Sequence, residues 1–255
     1  MNPSGQVAVV TGGGSGLGEA TARALAAKGA KVALLDVGIK NAEAVAADIG
    51  GIAIKCDVSN AEAGEAAFDE VTAKLGTPRI LINCAGIGIA MKTTGKEGAH
   101  PLDLYRKVIE VNLIGTFNMI RLFAVRAEAM EPLDGGERGV IVNTASVAAY
   151  DGQIGQAAYS SSKGGVVGMT LPVARDLSAS GIRVNTIAPG LFDTPIYGTG
   201  EASEQFKEKL AANLLFPKRL GFSSEFASLA VEMITNSYFN AETVRLDAGT
   251  RMQPK

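Results

Sequence analysis

Tryptophan is absent from this chain of 255 residues, aromatic residues make up only 5% of it, and there are two cysteines and a single histidine. These shortages exclude several chemistries. A serine hydrolase needs a histidine near an exposed serine turn. Here no G-x-S-x-G string occurs, and His100 stands in an irregular stretch just before Pro101. The same scarcity of His and Cys argues against zinc-based alcohol chemistry. No G-x-x-x-x-G-K-[ST] string supports phosphate transfer. Cys56 and Cys84 fall in apolar, strand-like runs at 52–58 and 80–85 and read as reduced buried thiols, not as a disulfide or metal pair.

Charge of either sign is also sparse in runs. The formal net charge is −2, with acids and bases interspersed, so neither nucleic acid nor an anionic membrane surface is an expected partner. No apolar run approaches the roughly 20 residues that cross a bilayer. The first strand begins near Gln6, which leaves no room for a signal peptide. The expected setting is the cytoplasm, or the mitochondrial matrix if a transit peptide has been removed.

What is present is a rhythm of short β-branched runs and longer helical patterns. Strands are predicted at 7–11, 31–36, 52–57, 80–83, 139–144, 183–188 and 243–247. Helices are predicted at 16–28, 42–49, 62–75, 102–129, 159–178, 204–214 and 224–234. Most strand runs are continuously apolar, as strands buried on both faces of a parallel sheet require. The alternation predicts one doubly wound, Rossmann-like α/β domain over residues 1–255, with a seven-stranded parallel sheet and helices on both faces. No linker or repeat divides it. Two connections are irregular: 87–101, and 191–220, which follows the sixth strand and is the expected substrate cover.

Thr11-Gly12-Gly13-Gly14-Ser15-Gly16-Leu17-Gly18 joins the first strand to the first helix. Glycines at such a turn admit a pyrophosphate to the backbone, and the helix start offers free N–H groups. Asp36 closes the second strand, where a dinucleotide site places a carboxylate on the adenosine ribose. A carboxylate there repels a 2′-phosphate, and neither Ser15 nor Val37 supplies a cation, so NAD is expected over NADP. A structural reading, Asp36 as a turn cap, stands beside it.

Hydride chemistry at a carbinol needs an acid–base group matched to the working pH. Tyr159-Ser160-Ser161-Ser162-Lys163 sets a phenol and an ammonium one helical turn apart, and a nearby ammonium lowers a phenol pKa. Ser146 follows the fifth strand, where its hydroxyl can reach the crevice and polarise a carbonyl. Alone it would be read as a cap. Asn112 interrupts the apolar helical stretch 108–115, and a buried amide needs partners.

In this combination the chain resembles the short-chain dehydrogenase/reductase family. The resemblance implies that Asp57 and Val58 flank an adenine and that Asn83, Ala85 and Gly86 brace the cofactor side of the sheet. It implies that Leu17, Pro189, Gly190, Leu191, Phe192 and Thr194 complete the cofactor site, with the Pro-Gly segment and Thr194 holding the carboxamide. It also implies that Asn112 helps hold a water linking Lys163 to solvent. In the cycle expected on this basis, Lys163 binds the nicotinamide ribose and lowers the Tyr159 pKa. Tyr159 takes the alcohol proton, Ser146 stabilises the oxygen, and the hydride passes to NAD.

Within the family, the strings Glu110-Val-Asn-Leu-Ile-Gly-Thr-Phe-Asn118, Gly152-Gln-Ile-Gly-Gln-Ala-Ala-Tyr159 and Arg251-Met-Gln-Pro254 resemble the type II 3-hydroxyacyl-CoA dehydrogenases. That group also acts on 2-methyl-3-hydroxybutyryl-CoA and hydroxysteroids. The resemblance implies an acyl-CoA substrate, Gln153 as a substrate contact, Lys92, Lys96, Lys207 or Lys209 as cations for a CoA tail, and a homotetramer. A hydroxysteroid or small secondary-alcohol dehydrogenase is the alternative. A nucleotide-sensing scaffold of the same fold is the non-enzymatic one, and the presence of Ser146, Tyr159 and Lys163 speaks against it.

Overall fold

Strands that are apolar on both sides can only be satisfied by a sheet with helices on each face. The computed structural model has that arrangement. It describes residues 1–96, 98–198, 200–212 and 214–254, with residue 196 described by its backbone alone. Seven strands form the main sheet: β1 (Val7–Thr11), β2 (Lys31–Asp36), β3 (Ile52–Lys55), β4 (Ile80–Asn83), β5 (Gly139–Thr144), β6 (Ile182–Pro189) and β7 (Thr243–Leu246). Their order across the sheet is β7-β6-β5-β4-β1-β2-β3, and each neighbouring pair is parallel.

The helices are α1 (Gly16–Ala27), α2 (Ile39–Ile49), α3 (Ala61–Leu75), α4 (Leu102–Ile109), α5 (Gly115–Glu128), α6 (Ala157–Asp176), α7 (Glu201–Ala211) and α8 (Ser223–Thr235). Side chains alternate along the strands and build two cores. Val10, Leu34 and Ile82 meet Leu25 of α1, Val45 of α2 and Phe226 of α8. Val9, Leu35 and Leu81 meet Phe68 of α3, Phe123 of α5 and Val173 of α6 on the opposite face.

The predicted helix at 102–129 is one continuous rod with a wider π turn, Glu110–Ile114, between α4 and α5. Such turns favour functional sites, and this one carries Asn112. Gly115, just beyond it, lets the rod press on Val58, whose Cγ2 would stand 2.6 Å from an added Cβ. This rod also corrects the reading of apolar runs: by length and composition alone it could cross a membrane, although more than half of its apolar window is buried within the domain. The connection 87–101 folds into a small antiparallel hairpin, Thr94–Gly95 with Gly98–Ala99.

Candidate active site

The chain leaves β1 and β4 toward opposite faces, so a crevice opens at the carboxyl ends of these neighbouring strands. A cavity of about 770 Å³ lies there. Its floor is the glycine turn. Gly12 has φ +63°, and a Cβ on it would stand 2.9 Å from the Ala85 N; a Cβ on Gly18 would stand 2.1 Å from the Gly12 O. Neither position admits a side chain without moving backbone. Thr11 locks the two strand ends together, since its Oγ1 accepts from the N–H groups of Cys84 and Ala85, each at 3.1 Å.

Ser15, Gly16, Leu17, Ala85 and Gly86 line this cavity with Gly12 and Gly18. Asp36 lines its far end and also braces the turn, its carboxylate accepting from the Gly14 N at 2.9 Å and the Gly38 N at 2.8 Å. The reading of Asp36 as a turn cap is thus observed, and the same side chain stands at the cavity wall. Asp57 and Val58 line the same end. The Ser59 hydroxyl, donating at 2.6 Å, holds the Asp57 carboxyl below its usual range. Among the described residues lining the cavity, the cations are Lys107 and Lys163. On the other wall stand Pro189, Gly190, Leu191, Phe192 and Thr194, with the Thr194 Cγ2 3.5 Å from where a Gly16 Cβ would be. Asn83 differs from the other expected cofactor residues. It is buried behind the cavity, and its amide bridges β4 and β5 by donating to the Asn143 Oδ1 at 2.9 Å. It braces the sheet and is not among the residues that line the cavity.

Ser146, Tyr159 and Lys163 converge on the cavity. The Ser146 Oγ caps the short helix Val147–Ala149 by accepting from the Ala148 N at 3.1 Å, which leaves its hydrogen free to donate. Lys163 is buried and donates to the Thr144 O at 2.7 Å, with Nζ 5.8 Å from the centre of the Tyr159 ring. Burial lowers its pKa to about 8. Burial also raises the Tyr159 phenol above its ordinary value, against the neighbouring Ser146 hydroxyl. The expectation that Lys163 depresses the Tyr159 pKa is thus corrected for the protein alone: desolvation wins, and the ammonium is turned toward a backbone carbonyl. Cys84, also at the cavity wall, is a free thiol pushed up to about 11 by burial.

Asn112 is fully buried and does not reach the cavity surface. Its Oδ1 accepts from the Ile87 N at 2.8 Å, and its Nδ2 donates to the Ile87 O at 2.9 Å and the Ser162 Oγ at 3.0 Å. Ser162 in turn donates to the Tyr159 O at 2.7 Å. The amide therefore ties the loop after β4 to the helical turn that carries Tyr159.

Gln153 lines the cavity, yet its Nε2 already donates to the Gln253 O at 2.8 Å. Lys207 is held by Asp193 and Glu204, each at 2.8 Å, and serves to fasten α7, which removes it from the cations free for a CoA tail. Sequence reasoning placed the substrate cover at 191–220 without its side chains: Tyr197, Phe206 and Leu210 form that wall. Gln156 and Met252 were missed. Gln156 lies one turn before Tyr159, a spacing that pointed to it; Met252 lies in the quoted C-terminal string but gave no chemical signal.

The family model described as short chain dehydrogenase matches residues 6–205. The 3-hydroxyacyl-CoA dehydrogenase type-2 of Bos taurus is 50% identical over 98% of this chain and 97% of its own length. The human protein of that name is 49% identical over the same shares. The crystal structure of 3-hydroxyacyl-CoA dehydrogenase type-2 from Mycobacterium avium has a TM-score of 0.92 and 42% identity, covering 98% of each chain. With a glycine turn, a Ser–Tyr–Lys constellation and full-length likeness to these proteins, the chain belongs to the short-chain dehydrogenase family of oxidoreductases.

Proposed function

We propose that the protein is an NAD-dependent dehydrogenase that interconverts (S)-3-hydroxyacyl-CoA and 3-oxoacyl-CoA thioesters. The observation that carries this reading is the convergence of Ser146, Tyr159 and Lys163 on the cavity whose other end holds the glycine turn and Asp36. The family implies a nicotinamide cofactor, and the cradle fits one, because the glycine turn has no room for side chains where a pyrophosphate would lie against backbone. Asp36 and its exposed neighbour Val37 favour a free ribose over a phosphorylated one.

When bound, the nicotinamide supplies the hydride acceptor or donor. The chain's own groups manage the proton and the oxygen. Tyr159, whose phenol burial pushes above its ordinary value, gives its proton to a ketone oxygen in reduction and recovers it in oxidation. Ser146 donates its free hydrogen to the same oxygen. Lys163, near half-charged at pH 8, provides the ammonium beside the phenol, and Asn112 holds its surroundings in place toward a water path to solvent. A shelf lined by Lys92, Thr93 and Thr94 meets the cavity at Gln153 and Gln156 and suits the phosphate-bearing end of a CoA thioester. The exposed Phe117, Val125 and Leu171 on α5 and α6 support self-association as a homotetramer, which light scattering would test.

The direct experiment follows NADH absorbance with acetoacetyl-CoA, with NADPH as the cofactor control and a steroid ketone as the substrate control. Rapid oxidation of NADH and little of NADPH is expected. Turnover of the steroid ketone alone would overturn the thioester assignment, and equal use of NADPH would overturn the reading of Asp36.

A further inference from the structure

Residues 247–254 do not trail away from the domain. After β7 the chain bends around Asp247, whose carboxylate accepts from the Arg245 Nε at 2.7 Å and the Gly249 N at 3.0 Å. Arg245 reaches on to Asp151 at 2.7 Å and to the Thr250 O at 2.8 Å. The tail then pairs with the segment that precedes α6: Gln153 Nε2 donates to the Gln253 O at 2.8 Å, and the Ile154 N donates to the Pro254 O at 3.0 Å. The same segment is tied on its other side to the loop after β4, with the Met91 N donating to the Gly155 O at 2.8 Å. Three stretches far apart in sequence are thus strung side by side across the substrate end of the cavity. Met252 lies in the middle of the tail and lines that cavity.

We propose that the C-terminal tail is a specificity element: Met252 forms a wall of the substrate compartment, and the Asp151–Arg245 ion pair with the Gln153–Gln253 hydrogen bond fixes how far that wall stands from Tyr159. The choice of probe rests on the reading of the substrate as an acyl thioester; on that reading, the side chains of residues 251–254 set which acyl groups fit. A flexible thioether is a wall that yields, so it limits acyl size by degrees and does not exclude it outright. The ion pair is mostly buried, with side chains 22% and 19% exposed, and desolvation offsets much of its attraction, so it works as a locator more than as a source of stability.

The experiment compares kcat/KM for acetoacetyl-CoA and 3-oxooctanoyl-CoA in the wild type, Met252→Ala, Met252→Phe and Asp151→Asn, with NADH binding followed by fluorescence as a measure of the intact fold. Removing the thioether should raise the long-to-short ratio by about tenfold, the scale on which pockets distinguish small changes in apolar length. Met252→Phe should move the ratio the other way, and Asp151→Asn should move it in the direction of Met252→Ala with KM changing more than kcat. Ratios within about twofold of wild type in both Met252 variants, with NADH binding retained, would overturn the proposal. If a variant loses NADH binding, truncation after Arg251 makes the same comparison. If the wild type turns over neither thioester, the functional reading fails, and small and bulky ketones that it does reduce then test the tail by the same ratio.

Discussion

Replacing Lys163 by methionine separates what this residue costs the fold from what it contributes to the chemistry. The ammonium is buried against Cys84 and the Thr144 carbonyl, and its pKa falls from the ordinary 10.5 to about 8. A depressed pKa on a base means that folding disfavours the charged form. Below about pH 8 both folded and unfolded chains carry the proton, and the whole penalty is present; between pH 8 and 10.5 the folded chain has released it while the unfolded chain still holds it, so stability rises. The size of that penalty is about 3 kcal/mol at pH 7. Methionine fills the space of the stem but leaves the Thr144 carbonyl without its donor, a loss of about 1–3 kcal/mol. The two terms nearly cancel, so Lys163→Met should be as stable as the wild type or more so at pH 7, while inactive. The cleaner test is the pH dependence of the difference. In urea unfolding without added cofactor, the wild type should gain about 2 kcal/mol on the variant between pH 7 and pH 9.5. A difference that stays flat across that range, or that moves the other way, would refute the argument from burial.

Other substitutions probe the braces. Asn112→Ala removes the partners of the Ile87 N and O in the interior and should cost about 2–4 kcal/mol, read as a fall in Tm and a larger fall in kcat than in NADH affinity. Arg183 is buried and donates to the carbonyls of Met233, Ile234 and Phe239 while pairing with Glu137. Arg183→Met should therefore destabilise by about 3–5 kcal/mol; a loss below about 1 kcal/mol in denaturant titration would show that the cluster is dispensable.

The sheet was legible because the central β-branched runs, β1, β4, β5 and β6, are buried on both faces, and the observed strands follow the predicted ones closely at β1, β2, β4 and β5. The convergence of Ser146, Tyr159 and Lys163 on the cavity was legible for another reason: each residue is weak alone, but Ser146 follows β5 and the helix after it presents Tyr159 and Lys163 one turn apart. The π turn was not legible, since nothing in the composition of Glu110–Ile114 separates a wider turn from an ordinary helical one. Neither was the engagement of Lys207 by Asp193, nor the docking of residues 251–254 beside 153–154. Both join segments whose contact depends on the folded topology, and a polar side chain in a string does not announce its partner. The Tyr159 pKa was misjudged for a similar reason: sequence spacing shows the nearby ammonium but not the depth of burial that opposes it.

The proposed function rests on Tyr159 as the group that gives a proton to the substrate oxygen or takes one from it. The measurement that tests it most directly is oxidation of NADH by acetoacetyl-CoA in the wild type and in Tyr159→Phe, with NADH binding titrated in both. The variant should bind NADH with little change and lose turnover by at least about a hundredfold, the usual range of a general acid–base contribution. Turnover retained in Tyr159→Phe would contradict that role.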